Sequence, residues 1–473
     1  MAEQQKSEFS ESATAAHKAH CLVVPVPGQG HISPVLQFSK RLIPKRIRVT
    51  IAPTRFIANT ATLTVAAGSD IHLRPISDGY DEGGIASAED GQTYFDTFQR
   101  VGSQTLADLV RQQRNSGHPV HCIVYDPHLP WCLDVAKAFG LIGVAFFTQS
   151  CAVDAIFYHV HHGLLNPPVQ TPETLTIPGL PPLKPRDLPS FVHDASYPAF
   201  LAALVGQFSN IHNADWVLCN SVYELETEAA DLLAKLWPNF KTIGPTIPSF
   251  YADNRLVGEK DYGVSFFKPE NGACNDWLRT KPKGSVVYVS FGSMADLGTE
   301  QMEELCFGLK NSNHYFLWVV RESEEAKLPQ RFKSETAEKG LIVSWCSQLE
   351  VLASGVVGCF VTHCGWNSTM EALSLGVAMV AMPRWTDQTT NAKFITDVWG
   401  VGVRAEGENG VVKREEIERC VRQVMEGEKG EEIRKNGEKW RKLMQEAVSE
   451  GGSSDRNINV FAQSLILSSQ NNA

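Results

Sequence analysis

Two groups of residues carry the chemistry this chain could do. In the first, His31 closes the turn GQGH after the apolar run CLVVPVP (21–27) and opens an amphipathic helix through Leu42. Pro34 suits the first helical turn. The positive end of a helix dipole disfavours imidazolium, so a neutral ring able to accept a proton is expected there. Asp126 ends the run HCIVYD (121–126), a further strand of the same sheet. An Asp at that edge can hold the tautomer of a neighbouring His and stabilise the imidazolium formed on proton uptake. Either residue alone reads as a polar cap; together they read as a general base and its partner.

The second group lies in Trp345–Gln388, WCSQLEVLASGVVGCFVTHCGWNSTMEALSLGVAMVAMPRWTDQ. It alternates strand, short helix, strand, helix, strand and polar turn. The apolar run VGCFVT ends at His363, and Cys364 and Gly365 turn the chain. Asn367, Ser368 and Thr369 then open a helix carrying Glu371 one turn in, close to a capping box. A strand ending in Gly at a helix N-terminus is an anion site, because unpaired N–H groups and the dipole point outward together. A Trp, a Gln, a His, a carboxylate and a closing Asp387–Gln388 surround it, an inventory that suits a nucleotide attached to a sugar. Ser293, in the turn FGS (291–293), ends the first strand of the chain's second half and points into the same cleft as His363. Trp345, at a strand end, suits base stacking as well as a core.

Other chemistries fit less well. GQGHIS approaches a dinucleotide fingerprint, but Ser33 takes the third glycine position and Pro53–Thr54 stand where an acidic residue should end the second strand. No Walker A pattern and no G-x-S-x-G elbow occurs. The histidines of HVHH (159–162) do not share one helical face and read as a solvated helix end rather than a metal site. Cys346, Cys359 and Cys364 sit in apolar strand sequence near His363, which favours buried thiols over zinc. Two rival functions remain beside an enzyme acting on a sugar nucleotide: a non-catalytic sugar-nucleotide-binding protein, and a nicotinamide-dependent oxidoreductase on paired nucleotide-binding sheets.

The elements that position these residues are those of an α/β chain. Apolar strands alternate with helices in both halves, which calls for parallel sheets covered on both faces. Such sheets bind ligands beyond the carboxyl ends of their strands. At 473 residues, 43% of them hydrophobic and 20% charged, the chain has core enough for two domains. The boundaries expected are a polar disordered tail over 1–18, a first domain over 19–244, an irregular connection over 245–275, a second domain over 276–452, and a final helix over 453–473 beyond a Gly-Gly-Ser-Ser break. The prolyl stretch 166–190 reads as a functional loop. A net charge of −10 argues against a general nucleic-acid binder. The tail lacks a signal-peptide core, no apolar run approaches the roughly 18 residues of a membrane span, and eleven cysteines show no disulfide or zinc spacing, so a reducing cytoplasm is expected.

HCGWNS, the downstream Glu371 and the closing W-T-D-Q make Trp345–Gln388 resemble the signature box of plant family-1 UDP-glycosyltransferases. PVPGQGHISPVLQFSKRL, YDPHLPW, SFGS and TNAKFITDVWGVGVR extend the resemblance over nearly the whole chain. The N-terminal pieces are most similar to the subgroup acting on plant hormones, phenolic acids and terpenoid or steroid aglycones. The resemblance implies a GT-B fold: two facing Rossmann-like domains, the first binding the acceptor and the second the sugar nucleotide, with the final helix crossing back onto the first. It implies that Trp345 stacks on uracil, that Gln348 and Glu371 hold the ribose, and that Ser293, His363, Asn367 and Ser368 hold the diphosphate. Asp387 and Gln388 would bond the sugar hydroxyls, with Thr148 and Trp385 nearby, and Cys346 and Trp366 belong to the same UDP-sugar set. A closing Gln is associated with glucose, so UDP-glucose is the expected co-substrate, with no cofactor and no metal. His31 and Asp126 would be catalytic. Ser33 and Thr389 depart from the family pattern, outside the contacting set. The expected protein is a monomer whose acceptor is a flat, hydrophobic small molecule bound near Phe147, Phe157 and Phe191, by loops including 78–95 and 166–190.

Overall fold

The computed structural model describes residues 17–63, 70–194, 197–408 and 410–471. The expected disordered tail lies outside the described residues except for His17 and Lys18.

The first half contributes β1 (Ala19–Val24), β2 (Ile47–Ile51), β3 (Thr62–Leu63), β4 (Ile71–Leu73), β5 (Cys122–Tyr125), β6 (Ile142–Phe147), β7 (Trp216–Cys219) and β8 (Phe240–Thr242). Seven of these form one parallel sheet in the order β4-β2-β1-β5-β6-β7-β8. β1 is buried along its whole length, as expected of a central strand covered by helices on both faces. The chain leaves β1 toward β2 on one side and returns as β5 on the other. β1 and β5 therefore flank a topological switch point, where a crevice opens. Val24 lies in register with Tyr125, so the turn bearing His31 and the residue after β5, Asp126, emerge side by side.

β9 (Val264–Ser265) belongs to the connection and pairs antiparallel with β3. The second half adds β10 (Val286–Ser290), β11 (Tyr315–Val319), β12 (Gly340–Val343), β13 (Val357–Thr362), β14 (Met379–Ala381) and β15 (Gly402–Arg404), in the order β12-β11-β10-β13-β14-β15. Its switch point lies between β10 and β13, where Ser290 is in register with Thr362. The turn of Ser293 and the imidazole of His363 follow directly. The two sheets thus turn their switch points toward one another.

The halves are held together by hydrogen bonds across the cleft. The indoles of Trp366 and Trp399 donate to the carbonyls of Asn220 (2.7 Å) and Leu225 (3.1 Å). The end of the prolyl stretch is fastened to the second half: Ser190 exchanges bonds with Thr386, Thr390 donates to Asp187, and Arg404 pairs with Asp187 at 3.0 Å. Thr389 joins this seam by donating to the Leu188 carbonyl. The last helix, Ser453–Asn471, packs Ile458, Phe461, Ala462 and Leu465 against β1, β2 and Phe38 of the first half. The helical stretch that sequence extends over 198–212 stops at Gly206, and Ile211–Asn213 is a separate 3-10 turn after the polar break Ser209–Asn210. All eleven cysteines are buried thiols.

Candidate active site

One wall of the cleft carries a buried carboxylate between two imidazoles. Asp126 is fully buried, and its Oδ2 accepts from His31 Nδ1 at 2.6 Å. Its Oδ1 accepts from His128 Nδ1 at 2.7 Å and from the His128 backbone N–H at 3.1 Å. With Nδ1 donating to the carboxylate, His31 keeps the Nε2 lone pair free to take a proton. The His31 side chain is 30% exposed. Thr148 Oγ1 lies 3.2 Å from His31 Nδ1.

Burial and the helix start both favour neutral His31, but the charge and hydrogen bond of Asp126 outweigh them and raise its pKa above 6.5. The helix-dipole argument from sequence therefore loses to a carboxylate in contact. Burial would likewise raise Asp126, yet the two imidazoles hold it well below the usual carboxylate range.

The opposite wall is built on the helix Trp366–Leu375. The capping box expected at Asn367–Thr369 is not formed: the helix begins at Trp366, and its N-cap is Gly365, which has no side chain to offer the first-turn N–H groups. That leaves an anion site built from backbone donors. Asn367 instead reaches across the cleft and donates to the Gly30 carbonyl at 2.9 Å, joining this helix start to the one that carries His31.

His363 lies flat between two glycines. A Cβ on Gly292, at φ +74°, would sit 2.9 Å from its Nε2, and one on Gly365 2.5 Å away. Burial lowers its pKa to about 4, so it meets a ligand as a neutral ring. Ser293 is half-buried in the adjoining turn.

Deeper in this wall, Gln348 Nε2 donates to Glu371 Oε2 at 2.8 Å and to Ser368 Oγ at 2.9 Å. Tyr262 donates its hydroxyl to Glu371 Oε1 at 2.8 Å. Burial pushes Glu371 up to about 7, against the pull of these two donors. Trp345 is half-buried, its ring 4.4 Å from that of Phe267. Asp387 accepts from Asn391 Nδ2 at 2.7 Å and is pushed up by burial to about 6. Gln388 spends its carbonyl oxygen on the backbone N–H groups of Arg384 and Trp385, leaving its NH2 group for a ligand. Trp385 packs against Phe191 and Phe200, with ring centroids 5.8 and 6.2 Å away.

Two members of the expected UDP-sugar set turn their side chains elsewhere. Cys346 and Trp366 are 5% and 4% exposed and sit in the core beneath the site, Cys346 against the Tyr288 hydroxyl and Trp366 on Asn220. Cys346 follows β12 and Trp366 opens the helix Trp366–Leu375 on its core-facing side, so both side chains are spent on packing. Phe147 and Phe157 are also core residues with no exposure, Phe147 stacked on Phe208 and Trp237. Of the three expected acceptor aromatics, only Phe191 reaches toward Trp385.

His128, Tyr262 and Asn391 are site residues that the sequence reading passed over. His128 stands two residues after Asp126, the spacing of an Asx turn, and that was the available signal. Tyr262 lies in an aperiodic connection that gives none. Among the described residues, His31, Asp126 and His128 are the only group of three or more His, Cys, Asp or Glu residues whose ligand atoms lie within 4.8 Å of one another. The two imidazole–carboxylate contacts in this group, 2.6 and 2.7 Å, are hydrogen-bond distances. No described helix is long and apolar enough to cross a membrane.

Two facing doubly wound sheets, one offering an uncapped helix start beside polar groups and the other a His–Asp pair, make the two-sided cleft that the GT-B resemblance implies. The family described as UDP-glucoronosyl and UDP-glucosyl transferase matches residues 263–435. Mogroside I-E synthase of Siraitia grosvenorii is 48% identical over 448 residues, 94% of this chain and 98% of that protein. Flavonol 7-O-beta-glucosyltransferase UGT74F1 of Arabidopsis thaliana is 49% identical over 455 residues, 95% of this chain and 98% of that protein. The crystal structure of Os79 from O. sativa in complex with UDP superposes with a TM-score of 0.88 at 41% identity, covering 94% of this chain and all of that one. The chain belongs to the UDP-glycosyltransferase family, and it is a glycosyltransferase of the plant secondary-metabolism group.

Proposed function

We propose that the protein transfers glucose from UDP-glucose, with inversion, to a hydroxyl or carboxyl group of a hydrophobic small molecule. The observation that carries this reading is the 2.6 Å bond from His31 to buried Asp126, which leaves a basic Nε2 on the cleft opposite the uncapped helix start. In this reading Trp345 stacks on uracil, and Gln348 and Glu371 take the ribose hydroxyls. The N–H groups at Asn367–Ser368, with Ser293 and neutral His363, receive the diphosphate. Asp387 and the free NH2 of Gln388 hold the glucose, with Thr148 and Trp385 beside it.

His31 deprotonates the acceptor as its oxygen attacks the anomeric carbon on the face opposite UDP, and Asp126 stabilises the imidazolium that results. One displacement converts an α-linked donor into a β-glucoside. General-base help contributes about 10²–10⁴-fold. Alignment of donor and acceptor across the cleft can supply roughly 7–11 kcal/mol, the larger share. Charge building on UDP is met by fixed N–H dipoles rather than by mobile cations. The sequence has no Asp-x-Asp pair at this position, which supports transfer without a divalent metal in the cytoplasm.

Tyr197, Phe200 and Trp385, backed by buried Phe191, support a flat, apolar acceptor, a steroid, terpenoid or phenolic. Mogroside I-E synthase and the flavonol glucosyltransferase carry names of that kind, and a further Os79 structure contains a trichothecene. An acceptor panel with UDP-glucose, read by mass spectrometry with the anomeric coupling measured by NMR, tests the proposal. A β-glucoside of at least one such acceptor is expected; an α product, or hydrolysis of UDP-glucose with every acceptor left unmodified, would overturn it.

A further inference from the structure

The connection between the halves enters the nucleotide side of the cleft. It is anchored first to the helix Gln29–Leu42 that carries His31. There Arg41 pairs with Asp253 at 2.9 Å, Lys40 with Glu259, and Gln37 Nε2 donates to the carbonyls of Asp261 and Tyr262, each at 3.2 Å. Val264 packs with Ile32 of that helix and with Ile57, flanked by Tyr262 and Phe266. From this anchorage the Tyr262 hydroxyl reaches Glu371 Oε1 at 2.8 Å, and Phe267 lies on Trp345. One short segment therefore touches the catalytic helix, the carboxylate beside the uncapped helix start, and the indole of the same wall.

We propose that Tyr262 is a positioning residue for the nucleoside: it holds the Glu371 carboxylate toward the ribose hydroxyls and ties that seat to the helix bearing His31. This rests on the UDP-sugar reading given above. Glu371 is a buried acid served only by uncharged donors. Tyr262 and Gln348 bond it, while Tyr251 and Tyr288 lie close by, with Asp261 and Glu350 acting on Tyr251. Burial and the neighbouring carboxylate keep the Tyr262 phenol protonated, so it remains a donor. Gln348 fixes Oε2, and without the phenol Oε1 has no fixed partner. The carboxylate then turns more freely and takes up a proton more readily.

The test uses Tyr262→Phe in the full chain, which keeps the packed ring and removes only the hydroxyl. UDP and 2′-deoxy-UDP are titrated by tryptophan quenching at pH 7, and KM for UDP-glucose and kcat are measured in parallel. Wild type is expected to prefer UDP over the deoxy form. In the variant, UDP binding weakens by about 5–20-fold, the deoxy form by less than about twofold, and KM for UDP-glucose rises while kcat holds. Equal weakening of both nucleotides would mean a loosened site rather than a lost ribose contact, and no change would mean no role; either overturns the proposal. A wild type that fails to bind UDP overturns the underlying reading first, and one that binds both nucleotides equally overturns the Glu371 assignment and this proposal with it.

Discussion

Asp126 and Glu371 lie in opposite walls of one cleft, both carboxylates, both taken out of water by the walls that carry them. Asp126 accepts from two imidazoles and is held well below the usual carboxylate range, so it is an anion at any working pH. Glu371 accepts from an amide and a phenol, and burial pushes it up to about 7. The difference lies in the partners, since burial acts on both in the same direction. A group that must stabilise a cation is given ionisable neighbours. Glu371, which in the proposed reaction would accept from sugar hydroxyls, is given neutral donors, whose places uncharged ligands can share.

The largest expected effect breaks the first half of that contrast. His31→Ala, or Asp126→Asn, should lower kcat on an alcohol acceptor by about 10²–10⁴-fold, because the base is removed or loses its counter-charge. UDP affinity, set on the other wall, should stay within about twofold. A carboxylic acid is already ionised at neutral pH and should lose far less, with a phenol, whose pKa is about 10, falling between the two. Initial rates on matched acceptors, with UDP titration alongside, check this. Near wild-type turnover on an alcohol would remove His31 from the mechanism.

A smaller effect concerns pH. His31 must be neutral to accept a proton, and Asp126 raises its pKa above 6.5. With an alcohol acceptor, kcat/KM should rise with pH through a midpoint above 6.5. In Asp126→Asn burial is opposed only by the smaller pull of Asp387, so the midpoint should move down even as the maximum rate falls. A midpoint unmoved by the substitution would mean that another group controls the acid limb.

Much of this contrast was legible in the sequence, and its limits have physical causes. His31 and Asp126 follow apolar strand runs, and strand order in a parallel sheet brings such ends together, so the pair could be read before any geometry. The segment Trp345–Gln388 announced an anion site by the same logic, a strand, a glycine and a helix start. Its details were less open. Sequence places Gly365 in a turn, whereas it is the N-cap itself, and Asn367 works across the cleft rather than on its own helix. Cys346 and Trp366 show that a motif residue can face the core while its neighbours face the ligand. Tyr262 could not be found, because it comes from a connection without periodicity and acts on a helix 109 residues away. Periodicity reports which face is buried; it does not report which distant loop returns to a site.

The smallest effect separates the two carboxylates by sign. The folded pKa of Glu371 is raised from 4.5 to about 7, so between those values the unfolded chain has lost a proton that the folded chain keeps. Stability therefore falls as pH rises through that window, and above it the buried anion remains a cost. Glu371→Gln should remove the cost: Tyr262 can rotate its hydroxyl to accept from the new amide. The variant should be more stable than wild type by about 1–3 kcal/mol at pH 8 and close to equal near pH 4. Asp126 is depressed below 3.8, so its contribution is present above that value and is lost only as pH falls through the folded pKa. Asp126→Asn should therefore be less stable than wild type at pH 8, by a similar about 1–3 kcal/mol. Urea unfolding of the three proteins at both pH values measures this. Two variants shifting the same way at pH 8 would mean that burial, and not the partners, sets the state of both acids.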